Sequence, residues 1–131
     1  FKRLLGEELL EPTRIYSEVI NDLTKKILIK GMAHITGGGL PENVARIIPS
    51  SKDIFIDKGK LPTLPVFSLI KQAGNVPEEE MYRTFNMGIG YVVIISPAEM
   101  PVFEKEMSAL GEKFYQIGKV SSGSGNVHLG D

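Results

Sequence analysis

Three consecutive glycines, Gly37-Gly38-Gly39, separate an apolar run ending in Ala33-His34-Ile35-Thr36 from a segment led by Leu40-Pro41-Glu42-Asn43. No side chain restrains the backbone across the glycines, so positive φ is accessible and another group can approach without meeting a Cβ. The apolar run predicts a short strand, Met32 to Ile35, and Pro41 predicts the first position of a helix, where its fixed φ suits and its missing N–H costs nothing. A strand entering a glycine turn and leaving as a helix aims first-turn amides outward, a geometry that favours an anion or a polarised oxygen. The same residues also serve as a plain tight connection.

The rest of the chain alternates helical and extended patterns around this turn. Apolar residues at 1, 4, 5 and 9 form a helical stripe through Leu10, and Pro12 breaks it, leaving Thr13 to Tyr16 as a linker. Ser17 is placed to cap a helix through about Leu28, with Ile20, Leu23 and Ile27 on one face and Lys25, Lys26 and Lys30 toward its end. Leu40, Val44, Ile47 and Ile48 mark the buried face of the helix after the glycines. Lys52 to Asp57 alternates as a half-exposed strand with Ile54 and Ile56 inward, and residues 58–65 read as a surface loop. Val66 to Ala73 has helical spacing stopped at Gly74-Asn75, and Pro77 opens a short helix with Glu78, Glu79 and Glu80 in its first turn. Those glutamates suit the positive helix end better than they suit a metal.

Tyr91-Val92-Val93-Ile94-Ile95, apolar throughout, predicts a central strand covered on both faces. Ser96-Pro97-Ala98-Glu99 has the form of a capping box, followed by a helix with Met100, Phe103, Met107 and Leu110 inward, ending at Gly111. Phe114 to Val120 predicts a last long strand, then a flexible Ser-Ser-Gly-Ser-Gly tip and a return strand at Asn126 to Leu129. The alternation gives an α/β (α+β) class, one domain spanning residues 1–131.

Charge and cysteine content exclude several functions. Fifteen basic and 16 acidic residues are interspersed to a net −1, with no basic tract for a nucleic-acid surface. Cysteine is absent, which excludes disulfides and thiolate metal sites. The longest apolar run is the five-residue strand at 91–95, far short of the roughly 18 residues a membrane helix needs. No His/carboxylate spacing suggests a protein-only metal site, and no Walker loop is present.

His34, two residues before the glycines, is the foremost candidate for chemistry, because an imidazole titrates near neutrality and works as general base or donor. The alternative is a structural histidine bonded to nearby backbone. Thr36 offers a hydroxyl at the strand end, and Glu42 and Asn43 sit in the helix's first turn. Arg83 has a forked guanidinium suited to phosphate, or to a salt bridge with Glu78, Glu79 or Glu80. Asn86 is suited to an amide or amidine, and Gly88 to close approach. His128 is read as a surface residue.

Two long blocks carry a family resemblance. Gly31-Met-Ala-His-Ile-Thr-Gly-Gly-Gly-Leu-Pro-Glu-Asn-Val-Ala-Arg46 and Ala73-Gly-Asn-Val-Pro-Glu-Glu-Glu-Met-Tyr-Arg-Thr-Phe-Asn-Met-Gly-Ile-Gly90 closely resemble the aminoimidazole ribonucleotide synthetases, or phosphoribosylformylglycinamidine cyclo-ligases. The resemblance covers nearly the whole chain and is weakest around residues 50–66 and the last ten. It implies a mixed β-sheet packed with helices, forming a carboxy-terminal domain incomplete at its amino end, with the amino-terminal ATP-binding domain outside this chain. The implied reaction is ATP-driven closure of formylglycinamidine ribonucleotide to aminoimidazole ribonucleotide. The formyl oxygen is phosphorylated, a substrate nitrogen attacks that carbon and phosphate leaves. On this resemblance His34 is catalytic, and Thr36, Gly37, Gly38, Gly39, Asn43, Arg83, Asn86 and Gly88 contact substrate. ATP and Mg2+ are held mainly by the missing domain, and the parent is a cytoplasmic homodimer. Sister ATP-using enzymes of the same superfamily tend to have aspartate where this chain has His34, which argues against them. The chain by itself is also open to a reading as an inactive structural module.

Overall fold

The computed structural model describes residues 3–62 and 64–130. In chain order it contains α1 (Leu5–Leu9), α2 (Ser17–Thr24), β1 (Ile29–His34), α3 (Gly39–Ala45), β2 (Lys52–Asp57), α4 (Pro65–Ala73), α5 (Glu78–Thr84), β3 (Tyr91–Ile95), α6 (Met100–Ala109), β4 (Gly118–Ser122) and β5 (Val127–Gly130). Short 3-10 turns at Lys58–Lys60 and Pro97–Glu99 follow β2 and precede α6. The α/β class holds, but the strands form two sheets instead of one. β1 and β3 pair antiparallel, and β2 lies between an antiparallel β4 and a parallel β5.

Two apolar clusters meet on opposite faces of the β1–β3 ribbon. Ala33, Ile35, Leu40, Val44, Ile54 and Ile56 form the larger, with Val92 and Ile94 of β3 packed against it. Leu23, Ile27, Phe103 and Met107 form the other, against Val93 and Ile95. β3 is therefore covered on both faces, as its composition predicts. Its place is not central, because among the described residues it pairs with β1 alone. Opposite side chains of one strand feed two different cores because successive residues alternate faces. An extra residue in β1 between Ile29 and Gly31 makes a bulge in the pairing.

Several local expectations are corrected. α2 ends at Thr24, so Ile27 reaches its cluster from the following turn and β1 begins at Ile29, three residues early. Lys26 pairs with Glu106 of α6 instead of ending a helix. Neither Ser17 nor Ser96 caps with its side chain; Tyr16 precedes α2, and Ser96 is bridged through its carbonyl by the Glu99 N–H. Pro77 is the N-cap of α5 and not its first residue, whereas Pro65 does open α4. Leu110 lies beyond α6 and is exposed. Phe1 lies outside the described residues, and Leu4, Leu5 and Leu9 of the predicted first stripe are exposed.

The predicted strand at Phe114 starts four residues later, at Gly118, where a Cβ would press on the Phe55 carbonyl, so β4 docks on β2 by its glycine. The Ser-Gly tip is pinned rather than free. The Asp53 carboxylate accepts the N–H groups of Ser124 and Asn126 at 2.7 and 2.9 Å and faces His128 Nε2 at 3.0 Å. These bonds, led by the one from Asn126, hold the Asp53 pKa down from 3.8 to about 2. His128 is half-exposed as expected, yet it stacks on Phe55 with ring centroids 4.6 Å apart.

Candidate functional site

The end of β1 and the loop before β3 open onto a shallow cleft of about 460 Å³. His34, Ile35 and Thr36 form one wall, Thr84, Phe85, Asn86 and Gly90 another, and Thr13, Tyr16 and Phe67 complete it. The two sides are tied by the Ile35 N–H donating to the Gly90 carbonyl at 2.9 Å. His34 pairs in register with Tyr91 across the ribbon. Its ring lies 6.1 Å from that of Tyr91 and 5.7 Å from that of Tyr16, and the two tyrosines are 5.3 Å apart. Among the described residues neither His34 ring nitrogen has a hydrogen-bond partner, so the alternative of a histidine bonded to backbone does not hold there. The imidazole is exposed, oriented by aromatic packing, with both nitrogens available.

The glycine turn beside the cleft is organised by Asn43. That side chain is 6% exposed, and its amide nitrogen reaches the carbonyls of Thr36, Gly37 and Gly39 at 3.3, 3.2 and 2.8 Å. A trans peptide points its N–H opposite its C=O. With the Thr36 and Gly37 carbonyls drawn onto Asn43, the N–H groups of Gly37 and Gly38 turn away from it. The Gly39 N–H is committed to the Thr36 carbonyl at 3.0 Å.

The three glycines serve different needs. Gly38 caps α3 at φ 95°, and a Cβ there would meet the Glu42 carboxylate at 2.6 Å. Gly39, at φ 59°, lies against α5, where a Cβ would fall 1.9 Å from the Tyr82 carbonyl oxygen. Gly37 faces open space. The helix begins at Gly39, two residues before the predicted start, and Pro41 is tolerated because its missing N–H would have had no intrahelical partner. An anion on the outer side of this turn would sit near Glu42, whose charge Arg46 offsets in part from 3.9 Å.

The second block divides. Asn86 lines the cleft; its Oδ1 accepts the Gly88 N–H at 2.9 Å, and its amide nitrogen is unengaged among the described residues. Gly88, at φ 89°, is required by the chain's own packing, since a Cβ would press on Pro62 and Leu64. Arg83 lies outside the cleft and is held in a fork by Glu80 at 2.7 and 2.9 Å, a salt bridge to the α5 glutamates in place of a phosphate contact. This contact holds the Glu80 carboxyl below its usual range. The structure thus brings His34, Thr36 and Asn86 together and keeps Gly37, Gly38, Gly39, Asn43, Arg83 and Gly88 out of the cleft wall.

Tyr16 and Gly90 were not singled out by sequence, yet they belong together: a Cβ at Gly90 would fall 1.9 Å from the Tyr16 hydroxyl. The signal available was an aromatic residue in an irregular segment, with Arg14 beside it. The Arg14 guanidinium lies 5.8 Å from the Tyr16 ring centroid and pairs with Glu112. Among the described residues no group of three or more histidine, aspartate or glutamate side chains is placed to hold a metal ion.

The family profile described as AIR synthase related protein, C-terminal domain, matches residues 1–130. The chain belongs to this AIR synthase related family. It is 46% identical over 121 residues to the phosphoribosylformylglycinamidine cyclo-ligase of Geobacillus kaustophilus, covering 92% of this chain and 35% of that protein. The protein of the same name from Carboxydothermus hydrogenoformans is 44% identical over 132 residues, covering 100% and 38%. That of Thermoanaerobacter pseudethanolicus is 48% identical over 127 residues, covering 95% and 37%. The chain therefore spans just over a third of the length of these curated relatives. In this AIR synthase related domain, no helix among the described residues is long and apolar enough to cross a membrane.

Proposed function

We propose that this chain is the carboxy-terminal domain of a phosphoribosylformylglycinamidine cyclo-ligase and supplies part of the site that closes formylglycinamidine ribonucleotide to aminoimidazole ribonucleotide. The observation that carries the reading is the exposed His34 imidazole, its nitrogens unengaged among the described residues, at the mouth of a cleft shared with Thr36 and Asn86. In the proposal His34 orients or deprotonates the nitrogen that closes the ring. Asn86 presents its amide N–H to the substrate, and the outward amides of Gly37 and Gly38 hold a phosphate or developing oxyanion. Gly39 and Asn43 shape that turn from within. Arg83 would reach substrate only by leaving Glu80, which assigns it to the rim. ATP and Mg2+ bind on the part of the protein outside this chain. The complete protein is a cytoplasmic homodimer acting on small molecules and not on nucleic acid.

The test is His34→Ala in the complete enzyme. Turnover is expected to fall by roughly 10²–10⁴-fold, the range for a lost general base, while circular dichroism stays unchanged. Near-normal turnover by a folded variant would refute the role.

A further inference from the structure

Tyr16 enters the cleft beside His34 from the irregular segment before α2, and three neighbours fix its ring. Ring centroids lie 5.7 Å away at His34 and 5.3 Å away at Tyr91, and the Arg14 guanidinium is 5.8 Å from the Tyr16 centroid. These are the separations of packed aromatic and cation–π pairs. The far end of the ring rests on Gly90, where a Cβ would fall 1.9 Å from the hydroxyl oxygen and 2.8 Å from Cζ. The missing side chain at Gly90 is therefore what admits the phenol to the cleft wall. Among the described residues this hydroxyl has no hydrogen-bond partner, and no buried side-chain oxygen or nitrogen is left unpaired. The Tyr16 hydroxyl is thus open to whatever occupies the cleft.

The polar groups around it share one character. Asn86 commits its Oδ1 to the Gly88 N–H at 2.9 Å, so it meets the cleft through its N–H donors. Thr36 adds a second hydroxyl on the His34 wall. Among the described residues no ammonium, guanidinium or carboxylate lines the cleft. A site of uncharged donors suits carbonyl and hydroxyl oxygens better than a phosphate, which would arrive with no cation to meet it. We propose that Tyr16 is a substrate-binding residue whose hydroxyl donates to an uncharged oxygen of the ribonucleotide, a sugar hydroxyl or the formyl oxygen, beside His34. This inference rests on the reading of the cleft as the substrate site and adds which part of the substrate the cleft takes. The phosphate ester lies outside this wall.

The experiment is Tyr16→Phe in the complete enzyme, which removes the hydroxyl and keeps the ring against His34 and Gly90. The value of kcat/KM is expected to fall about tenfold, the loss of one uncharged hydrogen bond. Melting temperature and the pH dependence of kcat/KM should stay unchanged. A loss carried by KM places the bond on a sugar hydroxyl, which the reaction leaves alone. A loss carried by kcat places it on the formyl oxygen, whose bonding changes. A Tyr16→Phe enzyme within about twofold of the unaltered one overturns the proposal. So does a tenfold loss accompanied by a lowered melting temperature or a displaced pH profile, because the phenol would then be structural. His34→Ala in the same assay separates this inference from the reading beneath it. Loss with His34→Ala and none with Tyr16→Phe overturns the Tyr16 assignment alone. Loss with Tyr16→Phe and none with His34→Ala removes the role of His34 and sustains that of Tyr16. Loss in neither overturns both.

Discussion

Gly37 and Gly39 are two residues apart in one turn and answer to different constraints. A methyl group on Gly39 would meet the Tyr82 carbonyl while the backbone is held at positive φ. Gly39→Ala is expected to cost roughly 2–4 kcal/mol, and Gly37→Ala less than about 0.5, read from urea unfolding midpoints. Asp53 gives a pH prediction of definite sign. Its folded pKa of about 2 lies below the ordinary 3.8, so its contribution to stability is complete above that value and is lost as pH falls from 3.8 toward 2. Melting temperature measured against pH should fall more steeply over that window for the unaltered chain than for Asp53→Asn, which should be less stable at neutral pH.

Among the elements, α3 and α4 stand at opposite extremes. α3 buries Gly39, Leu40, Asn43 and Val44, whereas α4 buries no residue and is fastened by the Phe67–Phe85 ring contact and the Lys71–Glu78 pair. Its apolar spacing is that of a core helix, but its face is only half covered. Hydrogen exchange should therefore find α4 amides protected at least tenfold less than those of α3, and Glu78→Gln should speed α4 further while leaving α3 unchanged. Equal protection of the two helices would show that α4 is held by more than these contacts.

At the scale of the whole molecule, the described residues form two apolar clusters separated by a two-stranded ribbon, and their members are distinct. Leu40 is 0% exposed in the larger and Leu23 2% exposed in the smaller. Leu40→Ala and Leu23→Ala are each expected to cost about 2–5 kcal/mol. The double variant should lose close to the sum, since residues without shared partners act independently. Chemical denaturation of the four proteins forms the cycle. A coupling above about 0.5 kcal/mol would show that the ribbon transmits packing from one cluster to the other.

Residue order alone carries the local alphabet of this domain. The glycine turn, the apolar run at 91–95, the alternation at Lys52 to Asp57 and the helix stop at Gly111 were all legible, because each depends on steric and burial preferences that act within a few residues. The two blocks also carried the family. Tertiary structure decided which of the proposed site residues meet. His34, Thr36 and Asn86 converge because β1 and the loop before β3 are tied by the Ile35–Gly90 hydrogen bond, while Tyr16 arrives from a segment that reads as a linker. Only the fold could turn Asn43 inward onto the glycine carbonyls, bind Arg83 to Glu80, and pin a Ser-Gly tip to Asp53. Each of these depends on which partners packing brings within about 3 Å of a polar group, a distance that residue order does not encode.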